Sequence, residues 1–377
     1  MSALEQHRDK IERNAKQSRV ALQALLFIAI ITALYFARDF ILPVILALLI
    51  ALTLRPAVRV LEKYWVPPWL AATVFILVLV LGGSLAIYLL SAPVSDWINQ
   101  APQLQQKFAE KFSFLGSIIQ KFSTMSDQLQ SAAKHVEGSA VQEVVVRQNY
   151  STSIILAMTG YPIQFAITLA ATLVIAVFLL ASGDLFYQKL VRILPNMTAR
   201  KKALHIVYDI ESEVSTYVLT LSIINAVLGL VIAIAFHALG MPSPYLWGLL
   251  IFIFNFVPYV GTVAGVTLTG FMAIVSFNTL AEALIIPLAY AGLALVESEI
   301  IRPQIMGRRF EMNAVAILLF LAFWSWLWGI VGAAIAVPAL IILKIFCNHV
   351  DGLSGLGEFL SSRTTDKGEP AGQVEAQ

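Results

Sequence analysis

Charge is what this sequence has least of. Of 377 residues, 13% are charged and 59% hydrophobic, and the mean hydropathy is +0.80. A soluble domain carries roughly 25% charged residues. The composition therefore excludes an aqueous globule and reads as an integral membrane protein. Cysteine is nearly absent: Cys347 stands alone, which excludes an intrachain disulfide and a cysteine-built metal site. The five histidines (His7, His135, His205, His237 and His349) are scattered and do not pair at ligand spacing. No GxxxxGKS/T loop, HExxH pair or GxSxG elbow occurs, so those phosphate-cradling, zinc and nucleophile chemistries lack their scaffolds. The chain is read as a non-enzyme with no cofactor and no metal. A net charge of +2 gives no footprint for nucleic acid. Lys and Arg instead flank apolar runs, where they report topology.

What is present is a series of apolar runs. Residues 1–19 are polar, with Arg8, Lys10, Arg13, Lys16 and Arg19, and are expected in the cytoplasm. Residues 20–90 hold three spans, the first read as a retained helix because no small-x-small cleavage site follows it. Arg38-Asp39 is a short turn before the second span. Arg55, Arg59 and Lys63 are expected to face the cytoplasm, and Pro67-Pro68 breaks the chain before the third. Residues 91–150 form a hydrophilic block in which Leu104, Phe108, Phe112, Leu115, Ile119, Phe122, Met125 and Leu129 recur at helical steps. This block is expected to be a small, mostly helical extracytoplasmic insert, with 141–147 as one short strand.

Residues 151–347 read as the transmembrane transport core. Over 204–218, Leu204, Val207, Ile210, Val214 and Val218 share one face, with Asp209, Glu211 and Glu213 among the polar positions. That pattern suits an interfacial helix leading into a span at 217–239. Gln164 and Asn225 are read as helix–helix hydrogen bonds. Residues 348–377 are expected to be a disordered cytoplasmic tail. The fold class is thus an all-α polytopic bundle of about eight transmembrane segments, some broken or re-entrant.

Two features can carry chemistry. Within the apolar stretch 245–277, Asn255, Pro258 and Gly261 interrupt the helix, and Gly265 and Gly270 follow. The freed backbone groups could touch a solute, or the glycines could form a close helix contact; both readings stay open. The stretch suits either two tightly packed helices or a re-entrant hairpin. Next, between two apolar runs, comes a charged island: Glu297, Ser298, Glu299, Arg302, Pro303, Arg308 and Arg309. Charge in hydrocarbon costs roughly 2.5–3.5 kcal/mol per group on the insertion scale. Glu297, Glu299 and Arg302 are therefore candidates for a gate, proton relay or ion pair. Arg308 and Arg309 read as topology anchors, and Glu282 as a first-turn acid suited to the helix dipole. Last, 314–347 exceeds one ordinary span, with Trp324, Trp326 and Trp328 at its midpoint and Gly329, Gly332 and Pro338 after them. This suggests a hairpin.

Three stretches carry a resemblance: Phe254-Asn255-Phe256-Val257-Pro258-Tyr259-Val260-Gly261; Val296-Glu297-Ser298-Glu299 running through Arg302-Pro303 to Gly307-Arg308-Arg309; and Trp326-Leu327-Trp328-Gly329 running to Val337-Pro338. In order and spacing they resemble the AI-2E family of bacterial transporters, also described as PerM-like permeases. The resemblance implies a homo-oligomeric secondary transporter of the bacterial inner membrane, multi-pass, with both termini cytoplasmic. The family is named for export of autoinducer-2, the quorum-sensing signal, while other members look like sodium/proton antiporters. The chain departs from the pattern in two places. Ser298-Glu299 follows Glu297 where the family usually has Asn, and Ala314 stands where it usually has proline. The extra carboxylate favours proton or cation coupling. The function expected is export of a small polar solute, with autoinducer-2 as a candidate. The alternatives are a sodium or lithium/proton antiporter, and a non-transporting scaffold whose insert binds a partner. Asn255, Pro258, Gly261, Glu297, Glu299, Arg302 and Pro303 are the expected path or gate. The lipid bilayer and a small polar solute or cation are the expected partners.

Overall fold

The structure, a computed structural model, describes residues 3–111, 150–183, 185–307, 312–350 and 352–360. Among them the regular elements are all helices. Lipid offers the backbone no partners, so a spanning segment must satisfy its own N–H and C=O groups. Among the described residues six helices are long and apolar enough to cross a membrane. The protein is an all-α polytopic membrane protein.

In chain order the helices are α1 (Ala3–Phe36), α2 (Arg38–Glu62), α3 (Pro68–Lys111), α4 (Tyr150–Ala181), α5 (Leu185–Arg192), α6 (Met197–Ala238), α7 (Pro244–Phe254), α8 (Val260–Ser276) and α9 (Leu280–Val296). A π-helical segment, Glu297–Ile301, leads into α10 (Arg302–Met306), and α11 (Ala314–His349) and α12 (Ser354–Leu360) follow. The third span is the apolar part of α3, Pro68–Ser91, but the helix does not stop there. Its helix runs unbroken to Lys111 and carries Leu104 and Phe108. The rest of the insert's stripe and 141–147 lie outside the described residues, as do Arg308, Arg309 and 361–377. The interfacial helix and the fifth span are one element, the 42-residue α6.

The chain forms two compact units. The first comprises Met1–Ile76, Phe165–Val218 and Phe310–Gln377; the second comprises Leu77–Gln164 and Leu219–Arg309. In the first, α11 is bent back on itself. Trp328 and Gly329 leave helical geometry, Gly329 with φ +64° and ψ −142°. Ala316 and Leu340 then share one apolar cluster with Leu360. On a straight helix those two residues would lie about 36 Å apart, so their contact requires the hairpin. A Cβ on Gly332 would run into the carbonyl of Trp324, which is why glycine stands at the return. Trp328 lends its indole N–H to the Leu34 carbonyl, at 3.3 Å.

This unit also holds buried charge. Arg55 and Arg59, expected at the cytoplasmic end of the second span, find partners inside the protein. Arg55 is 3% exposed and donates to the Leu180 carbonyl at 3.2 Å and to Glu62 at 3.3 Å. Arg59 pairs at 3.0 Å with Glu211, itself buried. Its guanidinium lies 5.2 Å from the centre of the Tyr208 ring. Each charge is offset by a partner: Arg55 by Glu62 on its own helix and the Leu180 carbonyl on α4, Arg59 by Glu211 on α6. Beside them, Ser215 donates to the Thr53 carbonyl at 2.9 Å.

In the second unit the core gathers Phe236, Leu246, Trp247, Ile251, Ile286 and Tyr290. Between lipid-embedded helices small residues, rather than hydrophobic transfer, drive close packing. A Cβ on Gly229 of α6 would sit 2.5 Å from the Gly248 carbonyl of α7. The two helices therefore meet backbone to backbone.

Candidate functional site

The break at 255–261 is a tight reversal between two short helices. As helices, α7 and α8 are about 16 and 25 Å long, so α7 falls well short of the ~30 Å hydrocarbon layer. Asn255 caps the end of α7 and is 3% exposed. Val257 N–H then bonds the Phe254 carbonyl at 3.0 Å. Pro258 lacks a backbone donor and cannot extend the ladder. Tyr259 adopts φ +62° and ψ −53°, and Val260 N–H reaches back to the Pro258 carbonyl at 2.6 Å. This is a γ-turn of the rare, strained kind, with positive φ at its centre. The chain reverses so sharply that a Cβ on Gly261 would run into the Phe254 carbonyl. Pro258 ends one helix, Tyr259 absorbs the strain and Gly261 permits the approach.

The helix-contact reading of the glycines holds at Gly265. A Cβ there would sit 2.6 Å from Cε1 and 2.8 Å from the hydroxyl of Tyr290 on α9. α8 thus gives up a side chain so that the Tyr290 ring can lie against it.

At the charged island the helix widens. α9 starts at Thr279, whose hydroxyl accepts from Glu282 N–H at 3.3 Å. It runs through Pro287 to Val296 and then becomes a π turn over Glu297–Ile301. Arg302 N–H bonds the Glu297 carbonyl five residues back. In a regular α-helix, residues five apart point about 140° away from each other. The wider turn brings Glu297 and Arg302 to one side. Arg302 Nε and Nη2 then grip the two carboxylate oxygens at 2.9 and 3.1 Å. Such two-pronged, charge-assisted bonds are the strong kind. The Glu297 side chain is 4% exposed and that of Arg302 29%, so the acid is sealed while the base reaches toward solvent. Pro303 opens α10. With no N–H and with its ring against the preceding turn, it disfavours an ordinary α ladder here; π turns of this kind recur at functional sites. Glu299 is exposed, and no ion pair involves it among the described residues.

Between the reversal and the island runs a line of buried polar groups. Asn225 on α6, fully buried, accepts a hydrogen bond from Asn255 at 3.3 Å. Asn255 accepts one from Thr262 on α8 at 3.2 Å. Tyr290 packs against Gly265, one turn beyond Thr262 on α8, and Glu297 follows seven residues later in the π turn that continues α9. Tyr290 is fully buried, and among the described residues neither its hydroxyl nor Asn225 Nδ2 has a partner at hydrogen-bond geometry. Unpaired polar groups in a dry core cost about 1–3 kcal/mol each and call for an explanation. Asn225 does form the helix–helix bond read from the sequence; Gln164 is exposed. Tyr290 and Thr262 escaped sequence reading. Tyr290 stands seven residues before Glu297, two helical turns on the same face, and that spacing is the one signal that points to it. Among the described residues no group of His, Cys, Asp and Glu could hold a metal.

The family model for AI-2E family transporters matches residues 25–352. The chain belongs to the AI-2E transporter family. It is similar to the AI-2 transport protein TqsA of Escherichia coli (strain K12), with 27% identity over 345 residues, 91% of this chain and 95% of that one. A putative transport protein of Haemophilus influenzae is 22% identical over 341 residues, covering 89% and 94%. Putative transport protein YueF of Bacillus subtilis (strain 168) is 25% identical over 354 residues, covering 92% and 91%. The AI-2E match spans both compact units, so the γ-turn, the π turn and the polar line between them lie inside the family region. This AI-2E protein is a multi-pass membrane transporter.

Proposed function

We propose that this AI-2E transporter is a secondary permease that exports a small polar solute through the second unit, with autoinducer-2 as the first solute to test. The polar line from Asn225 through Asn255, Thr262 and Tyr290 to Glu297 supports this reading above all. Hydrocarbon-facing packing has no use for it, and two of its polar atoms, Asn225 Nδ2 and the Tyr290 hydroxyl, lack a hydrogen-bond partner among the described residues. A solute rich in hydroxyl and carbonyl oxygens would supply the missing acceptors. In the described conformation the site is shut, with Asn255 and Glu297 each 3% exposed. Passage requires α8 to part from α9, with the strained Tyr259 turn as the natural hinge. Arg302, already partly open, would exchange one carboxylate oxygen for a solute oxygen and return it as the solute leaves. The protein is not an enzyme in this reading. It works as a homo-oligomer in the bacterial inner membrane, with both termini in the cytoplasm.

The buried carboxylate of Glu297 also favours a second reading, a sodium or lithium/proton antiporter, because an acid in a membrane interior is a natural coupling group. Efflux of labelled autoinducer-2 from liposomes carrying the purified protein tests the first reading. Glu297→Gln and Arg302→Ala should each abolish flux without loss of folded protein, and unchanged flux in both would remove the pair from the mechanism. A proton-sensing dye answering to sodium or lithium, with no autoinducer-2 flux, would select the antiporter.

A further inference from the structure

A cavity of about 740 Å³ lies in the first unit, between α5 and the start of α6. It has no part in the polar line described above. Its lining combines the cations Arg192, Arg200 and Lys201 with the apolar Val191, Met197 and Leu204. The lining thus joins positive charge to apolar surface. Arg200 is fixed in place: its Nε donates to the Leu194 carbonyl at 2.8 Å and its Nη2 to the Arg192 carbonyl at 3.2 Å. None of the three cations pairs with a carboxylate among the described residues. The Arg and Glu residues deeper in this unit do pair off. Three cations held close together repel one another and favour an anion among them. Met197 of the lining is 69% exposed, and Leu185 on α5 and Ile193 just after it are 61 and 79% exposed, which suits the acyl boundary of a bilayer better than water.

We propose that this cavity binds the phosphodiester headgroup of an anionic membrane lipid. Arg192, Arg200 and Lys201 hold the phosphate, and the Val191–Met197–Leu204 wall takes the start of an acyl chain. A free phosphate would use the cations but leave the apolar wall idle. A zwitterionic lipid would fill the wall but bring a cationic group toward three others. An anionic lipid uses both. Its docking would tie α5 and the connection to α6 to one leaflet.

The test uses the full-length chain in an uncharged detergent, with melting temperature followed as dioleoylphosphatidylglycerol is titrated into the micelles. Dioleoylphosphatidylcholine and inorganic phosphate are titrated in parallel. A saturable rise with phosphatidylglycerol alone is expected. Removing two juxtamembrane cations should weaken its apparent affinity roughly 20- to 30-fold in the Arg192→Gln/Lys201→Gln variant. Both of those side chains are exposed and make no bond that holds the fold. Lys63→Gln, which removes an exposed cation outside the cavity, should leave the affinity unchanged. Three results would overturn the assignment: an equal response to phosphatidylcholine, an equal shift from inorganic phosphate, or a double variant that binds phosphatidylglycerol as the parent does.

Discussion

Arg302→Ala leaves the Glu297 carboxylate, 4% exposed, without its partner. Removing one member of a fully buried ion pair costs about 3–5 kcal/mol, because the remaining charge is stranded. An exposed pair costs less than about 1 kcal/mol. The guanidinium is 29% exposed, so water screens part of the interaction and about 2–3 kcal/mol is expected. Glu297→Gln should cost less, about 1–2 kcal/mol, because the freed arginine can swing toward solvent while the buried position becomes neutral. The double variant strands no charge. It should be more stable than the sum of the singles implies, with a coupling of about 1–2 kcal/mol. Reversible unfolding in mixed micelles of a mild and a denaturing detergent gives the four stabilities. Additivity within about 0.5 kcal/mol would mean that the two-pronged contact does not exist in the membrane, and the π turn would lose its explanation.

Two glycines separate geometry from composition. Gly261→Ala should prevent correct folding or abolish transport, because its new methyl group has no room beside the Phe254 carbonyl, whereas Gly292 has nothing within 4 Å. Gly292→Ala should be neutral or stabilise α9 by up to about 1 kcal/mol, and equal behaviour of the two in a thermal melt would contradict the tight reversal. At Tyr259, glycine should relieve the positive φ and gain roughly 1 kcal/mol of stability. If the γ-turn serves as the hinge, the same variant will change transport rate; a destabilised Tyr259→Gly would show that the turn is not strained.

The sequence by itself determined the class, the breaks and the family. Apolar runs of about 20 residues read as helices, because a helix closes its backbone hydrogen bonds within one segment and needs that length to cross the hydrocarbon. Proline and glycine mark where a helix can break, because one lacks a donor and the other tolerates reversal, although Pro43, Pro56 and Pro287 stay inside their helices. Asn255, Pro258, Gly261, Gly329 and Gly332 were legible for that reason. What the sequence could not reveal is which polar groups meet. Glu297 and Arg302 stand at a spacing that a regular helix holds apart, and a π turn joins them. Glu211 falls on the polar face of a helical wheel, yet Arg59, 152 positions earlier, draws it inside. Asn225, Asn255, Thr262 and Tyr290 come from four helices, and side-chain patterns along one helix carry no record of neighbours on another. Local rules fix where a chain bends; only the packed bundle decides which buried charge finds its counter-charge, because that energy belongs to the pair and to the low dielectric around it.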